Sequence, residues 1–373
     1  MIKVKYLKTC VLLTVAILMG VTHTTITSNS IPPLRFFTDS IEKKIPELMV
    51  KHHVPGVSIA LIDNFKVAYK NEFGVRSAQS PESINEDTIM EACSMSKLLL
   101  AHSAMKLVEE GKFELDKPLT DYLGKDYEPL FGQPQHRLIT ARMVLSHTSG
   151  LPNWREGGRE ERTVRLRFKP GTSYQYSGEG FWFLQHVIEK ITNESWEKYS
   201  KRTLLSPLGM KNSEFAWNDR FKNNFSRGHD AEGKIKEQRF MRDANAAFTL
   251  YTTPNDYALF MIEMMKPQRT AKFSLGQESL DMMFTPISNL QGGDEVRGLG
   301  WKIAKTVWGK RIWHDGTNSS GFCCHNEFYP QEGRGIIWMT NSRVGGREFR
   351  KEMKSYLREI GYGRPSEHEE PYQ

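Results

Sequence analysis

From Phe36 to His53 apolar residues recur at helical spacing, and Val54–Ile62 and Lys66–Phe73 then read as two strands joined at Asp63-Asn64. Leu98–Glu110 is a strongly apolar helix stopped by Gly111, and nearly every periodic segment that follows, Phe181–Ile191 among them, is helical. Thr253-Pro254-Asn255-Asp256 marks another helix start, with Thr253 as cap, Pro254 in the first turn and Asp256 at the positive end of the dipole. The period then reverts: Leu299–Val307, Arg311–Asp315, Phe322–Tyr329 and Gly335–Thr340 read as strands between Gly, Asn and Pro turns, and Glu348–Ile360 closes as a helix.

Strands at both ends with helices between them predict an α+β fold. In it the N- and C-terminal segments form one antiparallel sheet flanked by helices, with a large, mostly helical insertion and the active site at the seam. The expected division is 36–92 with 295–362 for the sheet domain, 93–294 for the helical domain and a disordered tail over 363–373. Residues 1–25 read as a signal peptide or N-terminal anchor, because Lys3, Lys5 and Lys8 precede an apolar run from Thr9 to Val21. Either form puts the folded body outside the cytoplasm, periplasmic or extracellular, with any membrane tether confined to the N-terminus.

The 373 residues are 39% hydrophobic, ample for a core, and carry a formal net charge of +7. Subtracting the three leader lysines leaves +4, and the remaining basic residues are interleaved with acids, as in the stretch Arg155–Arg167, read as a solvated loop. No nucleic-acid partner is expected on that pattern. Cys10 belongs to the leader, so Cys93, Cys323 and Cys324 remain, an odd set that makes no disulfide framework; Cys93 reads as a small buried residue. No HExxH, paired CxxC or GxxxxGK[ST] occurs, and no metal or cofactor is expected.

Ser-x-x-Lys occurs four times, at Ser40/Lys43, Ser94/Lys97, Ser103/Lys106 and Ser195/Lys198. Ser40 and Ser195 stand where amphipathic helices begin and read as caps, and Ser103 lies inside a helix. Ser94 alone opens an apolar helix, where backbone N–H groups at the positive end of the dipole could hold an oxyanion, with Lys97 one turn along the same face. A serine hydroxyl needs a base to become a nucleophile, and a lysine serves only with a lowered pKa. Tyr176, in the turn Tyr174–Gly180, is a candidate third group, since a phenolate beside an ammonium is stabilised.

Taken in order, Ser94-Met95-Ser96-Lys97, Leu145-Ser146-His147-Thr148-Ser149-Gly150-Leu151, Tyr176-Ser177-Gly178, Gly298-Leu299-Gly300-Trp301 and His314-Asp315-Gly316 resemble the serine β-lactamase and penicillin-binding-protein-like hydrolases. The branch is that of class C β-lactamases, D-alanyl-D-alanine carboxypeptidases, D-aminopeptidases and related esterases, and the likeness spans roughly residues 36 to 362. The resemblance implies Ser94 as nucleophile, Lys97 as its activating partner and Tyr176 as proton relay. It also implies an oxyanion hole of the Ser94 and Thr317 N–H groups, substrate contacts at Gly178, His314 and Gly316, and a structural role for His147.

Two positions depart from the family. Gly178 stands where many relatives carry asparagine, and His314 where β-lactamases usually carry lysine, which favours a peptide, amide or ester substrate over an antibiotic. An unperturbed imidazole at 314 would be half charged near about pH 6.5 and would bind a substrate carboxylate best when protonated. The alternatives are a β-lactamase or D,D-carboxypeptidase acting on cell-wall-like ligands, and a catalytically silent binder of peptidoglycan or protein.

Overall fold

The N-terminal helix α1 (Leu34–Lys51) turns one stripe inward, burying Phe37, Ile41, Ile45 and Leu48 completely. At about 1.5–3 kcal/mol per buried side chain, that stripe is enough to dock the helix. The computed structural model describes residues 32–365 apart from 125, 126, 131, 157–162 and 288–295, so the leader and the tail beyond Pro365 lie outside the described residues. From Pro33 onward the described residues form one compact unit.

Strands β1 (Gly56–Asp63) and β2 (Lys66–Ser77) follow as the expected hairpin. Its two-residue turn is Asn64-Phe65, both with positive φ (49° and 58°), the backbone that matches the right-handed twist of the flanking strands. After β3 (Ser80–Ser83) and β4 (Met90–Glu91) a 3₁₀ turn, Cys93–Met95, runs directly into α2 (Ser96–Glu109). The inserted stretch then gives α3 (Ala141–Leu145), α4 (Gly178–Thr192), shorter helical turns, β5 (Tyr251–Thr252) and α5 (Pro254–Met265). Thr253 caps α5, its hydroxyl accepting the Asp256 N–H at 3.1 Å. The chain closes with β6 (Val296–Arg297), β7 (Lys302–Thr306), β8 (Gly309–Thr317), β9 (Cys323–Tyr329), β10 (Arg334–Thr340) and α6 (Val344–Glu359).

Eight strands make one sheet in the order β3-β2-β1-β10-β9-β8-β7-β6, every neighbour antiparallel. The two chain ends meet at β1 and β10, in the register Val57↔Thr340 to Ile62↔Gly335, so the α+β arrangement with a terminal-segment sheet holds. Alternate residues of β9 serve opposite faces. Glu327 meets Arg358 of α6, whereas Asn326 donates to the Met95 sulfur at 3.0 Å on the side of the 3₁₀ turn. Helix α6 docks with Phe349, Met353 and Leu357 and packs on α1, while α5 packs against β1, β2 and β10. Among the described residues no helix is long and apolar enough to cross a membrane.

Candidate active site

The 3₁₀ turn that carries Ser94 is tied down from three sides. Ser96 Oγ donates to the Cys93 carbonyl (2.6 Å) and accepts the Leu250 N–H (3.0 Å), and Tyr257 Oη donates to the Met95 carbonyl (3.0 Å). Helix α2, which anchors it, is buried all round (Leu98, Leu99, Leu100, Ala101, Ala104, Met105), as expected of a helix through a core. Cys93 is held at φ 51°, a left-handed conformation that costs a non-glycine residue about 1–2 kcal/mol and that re-aims the chain just before Ser94. Its thiol is buried and, like those of Cys323 and Cys324, free of any disulfide.

Lys97 has no exposed surface, yet its Nζ donates to the Ala247 carbonyl at 2.7 Å and lies 3.3 Å from Ser94 Oγ. The same Nζ sits 5.0 Å from the centre of the Tyr176 ring. Burial lowers the Lys97 pKa to about 7, with nearby Cys93 opposing and the Arg297 guanidinium adding to the fall. A neutral amine, able to accept a proton, is therefore well populated at neutral pH.

Tyr176 reaches the site on a loop that His147 organises. The His147 Nδ1 accepts the Ser177 N–H at 3.0 Å, and its ring packs 4.3 Å from that of Tyr176. Ser177 in turn caps α4, accepting the Gly180 N–H at 2.9 Å and donating to the Pro152 carbonyl at 2.9 Å. Burial pushes the Tyr176 phenol up, against the weaker pulls of the Ser94 hydroxyl and Arg297. The expected phenolate is thus replaced by a protonated phenol, and its buried Oη has no partner in hydrogen-bond geometry among the described residues.

Strand β8 forms the opposite wall, packed directly on the Ser94 turn. Gly316 permits that approach: a Cβ there would stand 2.3 Å from Cys324 Sγ, 2.7 Å from the Ala92 carbonyl oxygen and 2.8 Å from Cys93 Cβ. Beneath the strand, half-buried Asp315 accepts from His325 (2.7 Å) and Lys302 (3.5 Å), while Arg350 donates to the Gly316 and Cys324 carbonyls at 3.2 Å. His314 Nδ1–H donates to the Asp315 carbonyl at 2.6 Å, which leaves Nε2 as an acceptor, buried and without a partner among the described residues. The expectation of a His314 charged near neutrality fails. Burial, Arg297, Lys97 and Lys302 hold its pKa well below the ordinary value despite Asp315, so the imidazole is neutral.

The Gly178 departure also has a cause. A Cβ at 178 would lie 2.6 Å from Trp154 Cη2 and 2.7 Å from the Asn153 carbonyl oxygen, so the loop before α4 fills the space a side chain would need. The Gly178 N–H is shared between the Asn153 carbonyl and Oδ1, each at 3.0 Å, and Trp154 faces Lys97 Nζ at 6.0 Å. Of the other serine–lysine pairs, Ser195 is the expected cap, accepting the Lys198 N–H at 3.4 Å. Ser40 is not a cap: α1 begins earlier, and its hydroxyl back-bonds to Phe36 within the helix (2.7 Å). Lys106 is engaged by Glu109 (3.0 Å) and the Ser274 carbonyl (2.9 Å). Arg155, expected in a solvated loop, instead makes a buried pair with Glu179 at 3.0 Å.

One participant escaped the sequence reading. Arg297 of β6 is 7% exposed and holds its guanidinium 5.7 Å from the Tyr176 ring centre and 5.5 Å from that of Tyr174. Its signal was adjacency to Gly298-Leu299-Gly300-Trp301. Trp154 and the Ala247 carbonyl carried none, since a loop aromatic and a backbone oxygen have no sequence signature.

The chain spans 62% of the length of one curated relative, Protein flp of Staphylococcus aureus strain N315, at 26% identity over 325 residues and 81% of this chain. A beta-lactamase of Pseudomonas fluorescens is 24% identical over 273 residues, 70% of this chain and 73% of that one. Among solved structures, a D-alanine carboxypeptidase from Burkholderia cenocepacia superposes with TM-score 0.73 at 21% identity, covering 87% of this chain and all of that one. A class C beta-lactamase in complex with cefoxitin gives 0.74 at 22% identity, over 87% and 99%; both structural likenesses speak to the fold. With the fold and the order of the site residues in place, and the Beta-lactamase family model matching residues 41–357, the chain belongs to the beta-lactamase family.

Proposed function

We propose that this protein is a serine hydrolase that cleaves an ester, amide or peptide bond through an acyl-enzyme on Ser94. The observation that carries the reading is the fully buried Lys97 amine, 3.3 Å from Ser94 Oγ and with its pKa lowered to about 7. Ser94 Oγ bonds to the substrate carbonyl carbon as its proton passes to Lys97 Nζ. Tyr176, held as a neutral phenol, delivers a proton to the leaving atom and is re-protonated from Lys97. The Ser94 and Thr317 N–H groups receive the developing oxyanion. Water then attacks the acyl carbon, with the proton path reversed.

Gly178 and the neutral His314 support an ester or small peptide over a β-lactam, because the amide and the ammonium that relatives present there are both missing. The basic and apolar start of the chain supports export. The test is a panel of a chromogenic cephalosporin, a D-Ala-D-Ala peptide and a short acyl ester, run beside fluorophosphonate labelling of wild type and Ser94→Ala. Ester turnover and labelling that both vanish in Ser94→Ala are expected. Equal labelling of the two proteins overturns the nucleophile, and preferential cephalosporin turnover overturns the substrate class.

A further inference from the structure

The segment that leads into the Ser94 turn is fastened by one buried carboxylate to the turn that follows Thr317. Glu91, the last residue of β4 and three before Ser94, is 6% exposed, and its Oε2 accepts from Asn318 Nδ2 at 2.5 Å and from Ser320 Oγ at 2.6 Å. Both donors stand just beyond Thr317, the last residue of β8. No cation pairs with Glu91 among the described residues, so these two hydrogen bonds are what offsets its loss of water.

Backbone bonds shape each end of this clamp. On one side Glu91 is laddered to Tyr251 of β5, and the Ala92 N–H donates to the Leu250 carbonyl at 2.8 Å. On the other, the β8–β9 ladder ends at the Thr317↔Cys323 pair. The turn beyond is closed by the Asn318 N–H on the Phe322 carbonyl (3.1 Å) and the Gly321 N–H on the Asn318 carbonyl (3.3 Å), and Asn318 Nδ2 also reaches the Phe248 carbonyl at 3.3 Å. The close approach at Gly316 sets how near strand β8 comes to the Ser94 turn, and the Glu91 bonds restrict how far the strand end can slide or rotate past it.

We infer that Glu91 is a positioning residue for the proposed oxyanion hole, fixing the Thr317 N–H relative to the Ser94 N–H through Asn318 and Ser320. This rests on the hydrolase reading and adds to it a group that acts through others. Oxyanion donors work by geometry fixed in advance, and a displacement of about 1 Å can cost on the order of a hundredfold in rate. Hydrogen bonds to a carboxylate are shorter and stronger than those between neutral groups, which suits a clamp.

The test separates the chemical step from binding and from folding. For wild type, Glu91→Gln, Glu91→Leu and Asn318→Ala, kcat and KM for a short acyl ester are measured per site titrated with fluorophosphonate. The expected result is that Glu91→Leu lowers kcat by about 10- to 100-fold while KM stays within about twofold. It should also weaken, by a similar factor, a boronic acid whose tetrahedral adduct on Ser94 places an oxygen in the hole. Glu91→Gln keeps an amide oxygen for Asn318 and Ser320 and should recover most of the loss. Asn318→Ala should lower kcat by less, and add little on top of Glu91→Leu, because the two share one contact. An unchanged kcat per site in Glu91→Leu overturns the inference, as does a loss carried by KM alone or one that multiplies fully with Asn318→Ala. Should Glu91→Leu melt too low to assay, Asn318→Ala decides alone: a merely structural contact would lower its melting temperature and leave kcat per site unchanged. Failure of the hydrolase reading looks different, since wild type itself would neither turn over the ester nor be labelled.

Discussion

Gly316 and Cys93 are pressed together so closely that a methyl group on the first would lie 2.8 Å from the Cβ of the second. Gly316→Ala should therefore force strand β8 off the Ser94 turn. The expected cost is about 1–3 kcal/mol of stability, the scale of overpacking a core. Because Thr317 follows directly, turnover should fall by at least about tenfold. Urea unfolding and ester kinetics on the same variant check both; an alanine tolerated without loss of either would show that the two walls can separate freely.

The pH dependence of activity should follow Lys97. Its pKa is lowered to about 7, and only the neutral amine accepts the Ser94 proton, so kcat/KM should rise along a single limb with its midpoint near that value. His314 adds no descending limb, because its surroundings already keep it neutral. Placing an ammonium beside Lys97 by His314→Lys should disfavour the charged amine further and move the limb to lower pH. A limb that moves upward in this variant would mean that the titrating group is not Lys97.

Stability should move oppositely to activity when Lys97 is removed. The folded pKa, about 7, lies below the ordinary 10.5, so the unfolded chain binds the extra proton between those values and wild-type stability rises with pH across that window. Below it the full burden of a buried ammonium is present. Lys97→Met should accordingly be more stable than wild type by a few kcal/mol near neutrality, roughly 3–5 at most, and the difference should shrink as pH rises through about 10. Denaturation of both proteins from about pH 6 to 10 measures it; a constant difference would refute the charge argument.

Restoring the asparagine of the relatives should fail at Gly178. Gly178→Asn meets Trp154 and the Asn153 carbonyl at under 3 Å, so about 1–3 kcal/mol of stability should be lost without any gain in cephalosporin turnover. Adding Trp154→Ala should recover part of the loss, and only part, since the Asn153 carbonyl remains. Full tolerance of the single change, read by thermal melting, would show that this loop yields.

What the sequence made legible was what repeats or what has a motif. The helix Thr253 caps, the β1–β2 hairpin, its turn one residue later than the Asp63-Asn64 the sequence suggests, and the terminal strands announce themselves through period and turn chemistry, and Ser94, Lys97 and Tyr176 converge as their order implied. Charge states were not legible. Whether His314 is an imidazolium or Tyr176 a phenolate depends on burial and on Arg297, which lies 200 residues beyond Lys97 in the chain and beside it in space. The start of α1 lies two residues before the Phe36 from which its apolar spacing reads, because Leu34 and Arg35 have no start signal and the helix is led in by Pro33 without a side-chain cap; Ser40 is inside the helix on either boundary.

Because β1 is completed by β10, and the Ser94 turn is walled by β8, the earliest and latest parts of the polypeptide must both be present before any chemistry exists. A ribosome-bound or partly threaded chain, lacking its last strands, carries a lysine in water with an ordinary pKa and a serine of ordinary inertness. Such long-range pairing slows folding and makes the nucleophile a property of completion. The site is thus assembled only once the sheet is closed.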